Sequence, residues 1–482
     1  MTFDELLSLV KSKNAPRVCI DSRLVTPGDV FVAVKGPNCD GHDFISNALA
    51  NGAKYIVCQN SPSSVIPAQA GIQFVVVKDS ALAAAALAQV AKGNPASKLT
   101  NLAVTGTNGK TTVAFLVRSC IQAAGEKCGL IGTVIYDAGF GPREANLTTP
   151  DPLTVADLQA QMLKAGAKFM VIEASSHALD QNRLAAIDFA AAAFTNLTGD
   201  HLDYHKTKDS YLSAKAKLFE NLSPNASAVL NKQSAEAKEI ARRTKAKILW
   251  YAIDAPADIT AQIESMDVGG TIYALEYAGQ KQKVKTPLLG RHNIANHLAA
   301  AGLCLAAGLD LKTIAQGLSS LEGVPGRLEN VNSNSDFAVL VDYAHTDDAL
   351  FNVLTTLRPL CKRKLIVIFG CGGDRDKTKR PRMAKVAEQL ADLVIVTSDN
   401  PRTENPSDII DQIVSGFENP AASTIKIEPD RKKAIELAIR TAQKDDTILI
   451  AGKGHENYQI IGKQKFPFSD KQIALDLLKN HI

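Results

Sequence analysis

The sequence predicts an α/β protein, and three observations carry that expectation. Short, nearly continuous apolar segments rich in Val and Ile alternate with helical stretches from one end of the chain to the other. Strands of that kind separated by helices belong to parallel sheets covered on both faces. The length of 482 residues is about three times that of a usual domain. Two breaks, KGNPASKLTN near 92–101 and EGVPGRLENVNSNSD near 322–336, concentrate the Pro, Gly, Asn and Ser that end helices and build linkers. The expected division is therefore three domains, 1–97, 98–326 and 327–482.

Composition excludes several classes. Apolar residues make up 45% and charged residues 22%, which excludes a disordered or collagen-like chain. Lys and Arg number 54 against 50 Asp and Glu, a formal charge of +4, so no broad nucleic-acid or membrane-surface footprint is expected. The start, MTFDELLSLVKSK, has acidic residues and too short an apolar run for a signal peptide, and no apolar stretch is long enough to span a bilayer. The expectation is a cytoplasmic protein with no nucleic-acid or membrane partner. The eight cysteines show no Cys-x-x-Cys pair and no metal-like spacing, and read as reduced and structural.

Taken in order, DVFVAV, YIVC and FVVV are the strands of the first domain. The second opens with LAVTGTNGKTT at 102–112, a strand followed by Gly106, Thr107, Asn108 and Gly109, then Lys110, Thr111 and Thr112 at the mouth of a helix. Small residues let backbone N–H groups face phosphate oxygens, the lysine adds charge, and the Thr111 hydroxyl can ligand Mg²⁺. The spacing is shorter than the general phosphate-loop pattern, because Val104 stands where its first glycine would be. The strand KFMVIEA delivers Glu173 to the ligand-bearing edge of a parallel sheet, where a phosphate-bound Mg²⁺ needs oxygen ligands. AAAFTNL brings Asp200 and His201 to the same edge. The late strands are FAVLVDYAH, LIVIFGC, LVIVTSD and TILIAGKG.

With these motifs in hand, the chain resembles the Mur ligases, ATP-dependent amide-forming enzymes that build the peptidoglycan stem peptide. The segments that carry the resemblance are TGTNGKTT at 105–112, EASSHALDQNR at 173–183, TNLTGDHLDYH at 195–205, YLSAKAKLF at 211–219, GRHNIANHLAA at 290–300, PGRLE at 325–329 and DYAH at 342–345. They occur in the family's order and span essentially the whole chain. The resemblance implies a central ATP-binding domain flanked by a domain for a UDP-linked precursor and a Rossmann-like domain for the incoming amino acid.

Within the family the chain looks most like the ligase that adds the third residue of the stem peptide. DSRLVTPGDVFVAVKG at 21–36, GCGGDRDKTKRP at 370–381, DNPR at 399–402 and AGKGHE at 451–456 favour it. DNPR marks the version accepting meso-diaminopimelate rather than L-lysine. Chemistry agrees: the planar guanidinium of Arg402 can hold the distal carboxylate that lysine lacks. A site built for a polar group rejects analogues without it by roughly 10⁴–10⁵.

The resemblance assigns roles to particular residues. Lys110, Glu173, His201 and Lys215 are the expected catalytic set. Thr111, Glu173 and His201 would hold Mg²⁺, together with Lys215 carbamylated by CO₂; read alone, Lys215 and Lys217 would be solvated lysines. Gly106 to Thr112, Asn293, Asn296, Arg327, Asp342 and His345 would bind ATP, with Asp347 standing where the family pattern has proline. Ile20, Ser22, Thr148, Thr149, Ser175, Gln181 and Arg183 would take the UDP-linked precursor. Arg375, Asp399, Asn400, Pro401, Arg402, Gly452 and Glu456 would take diaminopimelate. The implied reaction runs through an acyl phosphate in a monomer whose hinges lie near 98 and 327. Rival expectations are the same ligase using L-lysine, another Mur or folylpolyglutamate-type ligase, and a nucleotide-driven switch that forms no bond.

Overall fold

The computed structural model describes residues 1–36, 39–60, 71–198, 202–331 and 335–479. They form two compact units, one of residues 1–261, 275–282 and 295–318, the other of 262–274, 283–294 and 319–482.

The first unit begins with helix Phe3–Val10, closed by a capping box in which the Glu5 N–H donates to the Thr2 hydroxyl and the Thr2 N–H to the Glu5 carboxylate. The helix buries Leu6 and Val10, each worth about 1.5–3 kcal/mol. It lies by a four-stranded parallel sheet ordered Val18–Cys19, Val30–Val32, Tyr55–Cys58 and Gln73–Val76. The next helix, Ser80–Ala91, is capped by Asp79 and carries a run of alanines that allows close packing.

A chain of buried amides follows. Gln89 Nε2 donates to Gln159 Oε1 at 2.7 Å, Gln159 Nε2 to Asn101 Oδ1 at 3.1 Å, and Asn101 Nδ2 to the carbonyls of Ala96, Leu99 and Asp188. Gln89, Asn101 and Gln159 are all buried. An amide stripped of its partner there would cost about 1–3 kcal/mol, so the segment joining the first and second sheets is tied down at both ends.

The second sheet runs in parallel through Lys247–Ile253, Ser227–Asn231, Ala191–Phe194, Thr100–Thr105, Phe169–Glu173 and Cys128–Ile131. Its edge is finished by antiparallel Ile135–Asp137 and Pro142–Glu144. The sequence reading expected parallel strands only. These edge strands are short and partly polar, and escaped notice because they lack the apolar run of a buried strand. Register places Glu173 beside Val104 and Phe194 beside Thr105, so the last residues of three neighbouring strands emerge at one edge.

Behind that edge lies helix Lys110–Ala123, backed by helix Leu311–Ser320. A Cβ on Gly317 would come within 2.3 Å of the Cys120 Cα. Only glycine permits that approach, and with it Ser119 Oγ donates to the Gly317 carbonyl at 2.7 Å.

The second unit contains a six-stranded sheet ordered Glu329–Asn330, Ala338–Asp342, Thr447–Ala451, Leu365–Phe369, Leu393–Val396 and Ile425–Ile427, parallel except at its first strand. Leu and Phe side chains fill one face, Ile and Ala the other. Because Asp342 registers with Ala451, and Ile368 with Ile450, the loops after these strands open at one edge, where open parallel sheets bind ligands. Beneath it Arg431 and Asp470, both fully buried, pair at 2.8 and 2.7 Å. Burial works against the Arg431 cation, and the Asp470 carboxylate outweighs it.

The cysteines are free thiols, six of them buried. Among the described residues no helix is long and apolar enough to cross a membrane.

Candidate active site

The phosphate loop is shaped by two glycines with positive φ. Gly106 has φ 148° and a Cβ there would lie 1.9 Å from Thr195 Oγ1, while Gly109 has φ 92° and its Cβ would meet Asn296 Oδ1 at 2.2 Å. Both conformation and space demand glycine. The close approach brings Asn296 to the loop. Asn293, one turn earlier on the same helix Arg291–Ala306, donates its amide to the Leu289 carbonyl at 2.8 Å. The loop's tip is held by the neighbouring strand's end: the Asn108 N–H donates to Asn196 Oδ1 at 3.0 Å, and its carbonyl accepts from Thr195 Oγ1 at 2.6 Å. Lys110 Nζ folds over the loop onto the carbonyls of Gly106 and Thr107, each at 2.9 Å. Thr112 is buried behind it.

Glu173 ends its strand fully buried. Thr111 Oγ1 donates to Glu173 Oε2 at 3.0 Å, Thr133 Oγ1 to the same oxygen at 3.0 Å, and the Thr133 N–H to Oε1 at 2.8 Å. Gly132 makes room, since a Cβ there would lie 2.2 Å from Glu173 Oε1. An anionic oxygen pair ringed by hydroxyls, beside a phosphate loop, is a donor set suited to a hard divalent cation. Thr133 belongs to this cluster although nothing in the sequence singled it out. The other residues named for the metal, Asp200 and His201, lie outside the described residues.

Lys215 sits mid-helix in Lys208–Glu220 and is 1% exposed. Its Nζ donates to the Gly106 carbonyl at 2.9 Å and lies 4.4 Å from the centre of the Tyr211 ring. Tyr211 in turn shares a hydrogen bond of 3.2 Å with Thr107 Oγ1, and the His205 ring packs on it at 5.1 Å. Lys215 is thus part of the phosphate-loop wall. Lys217, half-buried, pairs with Asp180 at 2.9 Å.

The residues assigned to the precursor fall in two places. Ser22, buried, starts a short turn of helix after the half-buried Ile20, and its carbonyl accepts from Asn51 Nδ2 at 2.9 Å. Thr148, Thr149, Ser175, Gln181 and Arg183 gather beside Glu173. Thr148 Oγ1 meets Thr133 Oγ1 at 3.1 Å; Thr149 Oγ1 donates to the Glu173 carbonyl at 2.6 Å and accepts the Ser175 N–H at 3.0 Å. Arg183 donates to the Thr149 carbonyl at 2.7 Å and to Gln181 Oε1 at 2.8 Å. Burial draws its guanidinium below the ordinary range. The cation therefore gains from an anionic partner.

In the second unit Asp342 accepts the Leu328 N–H at 2.6 Å and the Ala344 N–H at 2.8 Å. Burial raises its carboxyl, and Arg327 opposes the shift. The Arg327 guanidinium lies 5.3 Å from the Tyr343 ring centre, and the exposed His345 ring sets Nδ1 2.9 Å from the Tyr343 carbonyl. Asp347, where proline was expected, is the first residue of helix Asp347–Leu357, capped by Thr346 and paired with Arg382 at 3.0 Å. Proline and an acid both suit a helix start, so the turn after His345 is intact.

The loops carrying GCGGDRD and DNPR are laced together. The Gly373 N–H donates to the Asn400 carbonyl at 2.9 Å, Arg402 Nη1 to the Gly373 carbonyl at 2.8 Å, and Thr403 Oγ1 to Asp374 Oδ1 at 2.7 Å. Buried Pro401 lies so near Gly373 that a Cβ there would meet its carbonyl. Gly372 leaves space for Arg402 Nη1, which lies 2.7 Å from where a Cβ would be, and Arg375 Cγ is 3.9 Å from that point. Arg375 is otherwise exposed. Asn400 Nδ2 donates to Glu456 Oε2 at 2.8 Å, and Gly452, at φ 118°, gives way to Asp399. The residues named for the acceptor are thus neighbours.

Comparison with known proteins identifies the family. The Mur ligase family catalytic domain matches residues 16–95, the Mur ligase middle domain 104–304 and the Mur ligase glutamate ligase domain 326–454. A UDP-N-acetylmuramoyl-L-alanyl-D-glutamate--2,6-diaminopimelate ligase of Geobacillus thermodenitrificans is 42% identical over 95% of this chain and 94% of its own. That of Gloeobacter violaceus is 42% identical over 99% and 98%. A solved structure of a ligase of the same name superposes with TM-score 0.72 at 32% identity, covering 100% of this chain and 99% of that one. The fold also matches the MurF ligase of Thermotoga maritima solved with ADP, TM-score 0.62 at 20% identity, over 99% of this chain and 100% of that one. Matched by three domain models between residues 16 and 454, the chain belongs to the Mur ligase family.

Proposed function

We propose that this ligase joins meso-2,6-diaminopimelate to UDP-N-acetylmuramoyl-L-alanyl-D-glutamate at the expense of ATP, in the cytoplasm. It acts as a monomer of three domains, 1–97, 98–326 and 327–482, with no nucleic-acid or membrane partner. The observation that carries the choice of acceptor is Arg402, its guanidinium set against Gly372 and Gly373 in the loop whose Asn400 binds Glu456. A fork of donors suits the distal carboxylate of diaminopimelate, and the acidic pair suits an ammonium. Relatives at 42% identity that bear the diaminopimelate ligase name support the same reading.

A free carboxylate is a poor electrophile because oxide is a bad leaving group. The D-glutamyl γ-carboxylate therefore attacks the γ-phosphorus of ATP, expelling ADP and forming an acyl phosphate. The acceptor amine, having given up its proton, adds to the acyl carbon. The tetrahedral adduct collapses, releasing phosphate and leaving the amide. The difficulty is the meeting of two anions, and Lys110 and Arg327 are the cations that offset it. Thr111, Glu173 and Lys215 as its carbamate are proposed to hold Mg²⁺ with His201; the ion would neutralise phosphate charge. A carbamate on Lys215 keeps one N–H, so the bond to the Gly106 carbonyl can survive modification. Gly106 to Thr112 with Asn293, Asn296, Asp342 and His345 would hold ATP, and Ile20, Ser22, Thr148, Thr149, Ser175, Gln181 and Arg183 the precursor.

The test is an amino-acid panel with the purified nucleotide dipeptide, its γ-carboxylate labelled with heavy oxygen. Diaminopimelate is the expected acceptor, with label in the released phosphate. Preference for lysine would overturn the acceptor assignment, and unlabelled phosphate the acyl-phosphate route.

A further inference from the structure

Lys453 was given no role by the sequence motifs, yet it is the most enclosed cation of the acceptor loops, with a side chain 0% exposed. Its Nζ donates to Asn400 Oδ1 and to Glu456 Oε2, each at 3.1 Å, and stands 3.6 Å from Asp399 Oδ1. Asn400 Oδ1 also accepts the Ile460 N–H at 2.9 Å, while Nδ2 reaches Glu456. One orientation of that amide serves all three partners, and Lys453 holds it together with the Ile460 N–H. A buried ammonium is costly to desolvate and persists only where anions and dipoles surround it.

We infer that Lys453 is a positioning and specificity-determining residue: it helps orient Asn400 and Glu456 and offsets one of two neighbouring carboxylates, reducing the negative charge that the acceptor's ammonium meets. The inference rests on the acceptor reading given above. Other charges act on the same cluster: Lys379, which donates to the His345 carbonyl at 2.7 Å, faces Asp399 from the next helix, and Arg327 lies across the Tyr343 ring. Arg431 is paired with Asp470, and Arg402 faces Gly373. Arg375 is exposed, and the Tyr458 ring centre lies 5.8 Å from Lys453 Nζ. Diaminopimelate has two ammonium and two carboxylate groups and is neutral overall; lysine carries one net positive charge. Without Lys453, Asp399 and Glu456 confront the ligand together, and the more cationic acceptor gains relative to the neutral one.

The experiment compares diaminopimelate and L-lysine as acceptors for wild type, Lys453→Met and the double variant Lys453→Met/Glu456→Gln, which restores the charge count. Each protein's melting temperature is recorded. In Lys453→Met the KM for diaminopimelate is expected to rise about tenfold or more, with the KM values for ATP and nucleotide dipeptide nearly unchanged. The diaminopimelate-to-lysine ratio of kcat/KM should fall about tenfold and recover part of the way in the double variant. An unaltered ratio, or an equal loss of kcat with both acceptors, overturns the inference while wild-type use of diaminopimelate still upholds the acceptor reading. A wild type that ignores diaminopimelate overturns both. If Lys453→Met does not fold, the double variant decides: a ratio near that of wild type supports the charge count, and a ratio shifted toward lysine refutes it.

Discussion

The ammonium of Lys215 reaches 2.9 Å from the carbonyl of Gly106, joining the middle of one helix to the first glycine of the phosphate loop. Lys215 is 1% exposed and rests over Tyr211, whose hydroxyl touches Thr107. Replacing Lys215 by Met is expected to lower ligase turnover by about 10²-fold or more, the scale on which a positioned charge acts in a water-excluded site. Lys215→Arg should fare no better, because a guanidinium forms no carbamate. Phosphate release and the intact mass in bicarbonate buffer check both. A Lys215→Arg enzyme of ordinary rate would rule out a chemical role for the lysine.

Gly109 meets two demands at once, a φ of 92° and the nearness of Asn296. Gly109→Ala should raise the KM for ATP more than that for the other substrates. Adding Asn296→Ala removes the clash but not the backbone strain, worth about 1–3 kcal/mol, and removes a proposed ATP contact as well. The pair should therefore depart from additivity without regaining wild-type affinity, as nucleotide titration calorimetry would reveal. Strict additivity would mean that the two residues do not meet.

Arg402 distinguishes the acceptors in the proposed reading. Arg402→Ala should cost diaminopimelate about 10²-fold or more in kcat/KM, and lysine much less, since a charged partner is lost only for the former. Arg402→Lys should restore little, because a point charge replaces a planar fork. Equal losses for the two amino acids, measured side by side, would speak against recognition of a carboxylate here.

Glu404 binds the fully buried Arg380 through two bonds of 3.0 Å and accepts the Asp374 N–H at 2.6 Å. Its carboxyl is pulled from 4.5 down to about 2, first by Arg380, then by the Asp374 N–H. A folded value below the unfolded one stabilises the protein above about pH 4.3, and that contribution fades as pH falls toward 2. Glu404→Gln should therefore destabilise at neutral pH, by about 2–3 kcal/mol, with the gap to wild type closing in acid. Denaturant titrations at pH 7 and pH 3.5 give the comparison; a gap that widens in acid would contradict the assignment.

What could be read beforehand was local chemistry. The phosphate loop declares itself because strand, glycines, lysine and threonine are contiguous, and Glu173 because an apolar run stops at an acid. The principal strands lie where the apolar segments put them, NLAVT at Thr100–Thr105 and TILIA at Thr447–Ala451 among them. Thr133 was invisible, because only strand register carries a threonine to a glutamate 40 positions later. Lys453 looked like any loop lysine; its neighbours Asn400 and Asp399 are supplied by a distant turn. The burial of Gln89, Asn101 and Gln159 left no mark in the sequence, since the bonds that join them span 58 and 70 positions. Contacts of long sequence separation leave no periodic trace.

The missing side chain at Gly317 has a mechanical corollary. With two helices pressed together where a methyl group would not fit, the rod behind the phosphate loop can neither slide nor roll without tearing Ser119 from its carbonyl. The loop above is thereby anchored at both ends of its reach, at its tip through Asn196 and Thr195 and at its base through this fixed shaft. A bulky residue at 317 would be felt in the cadence of turnover about three helical turns away, although it touches no reactant.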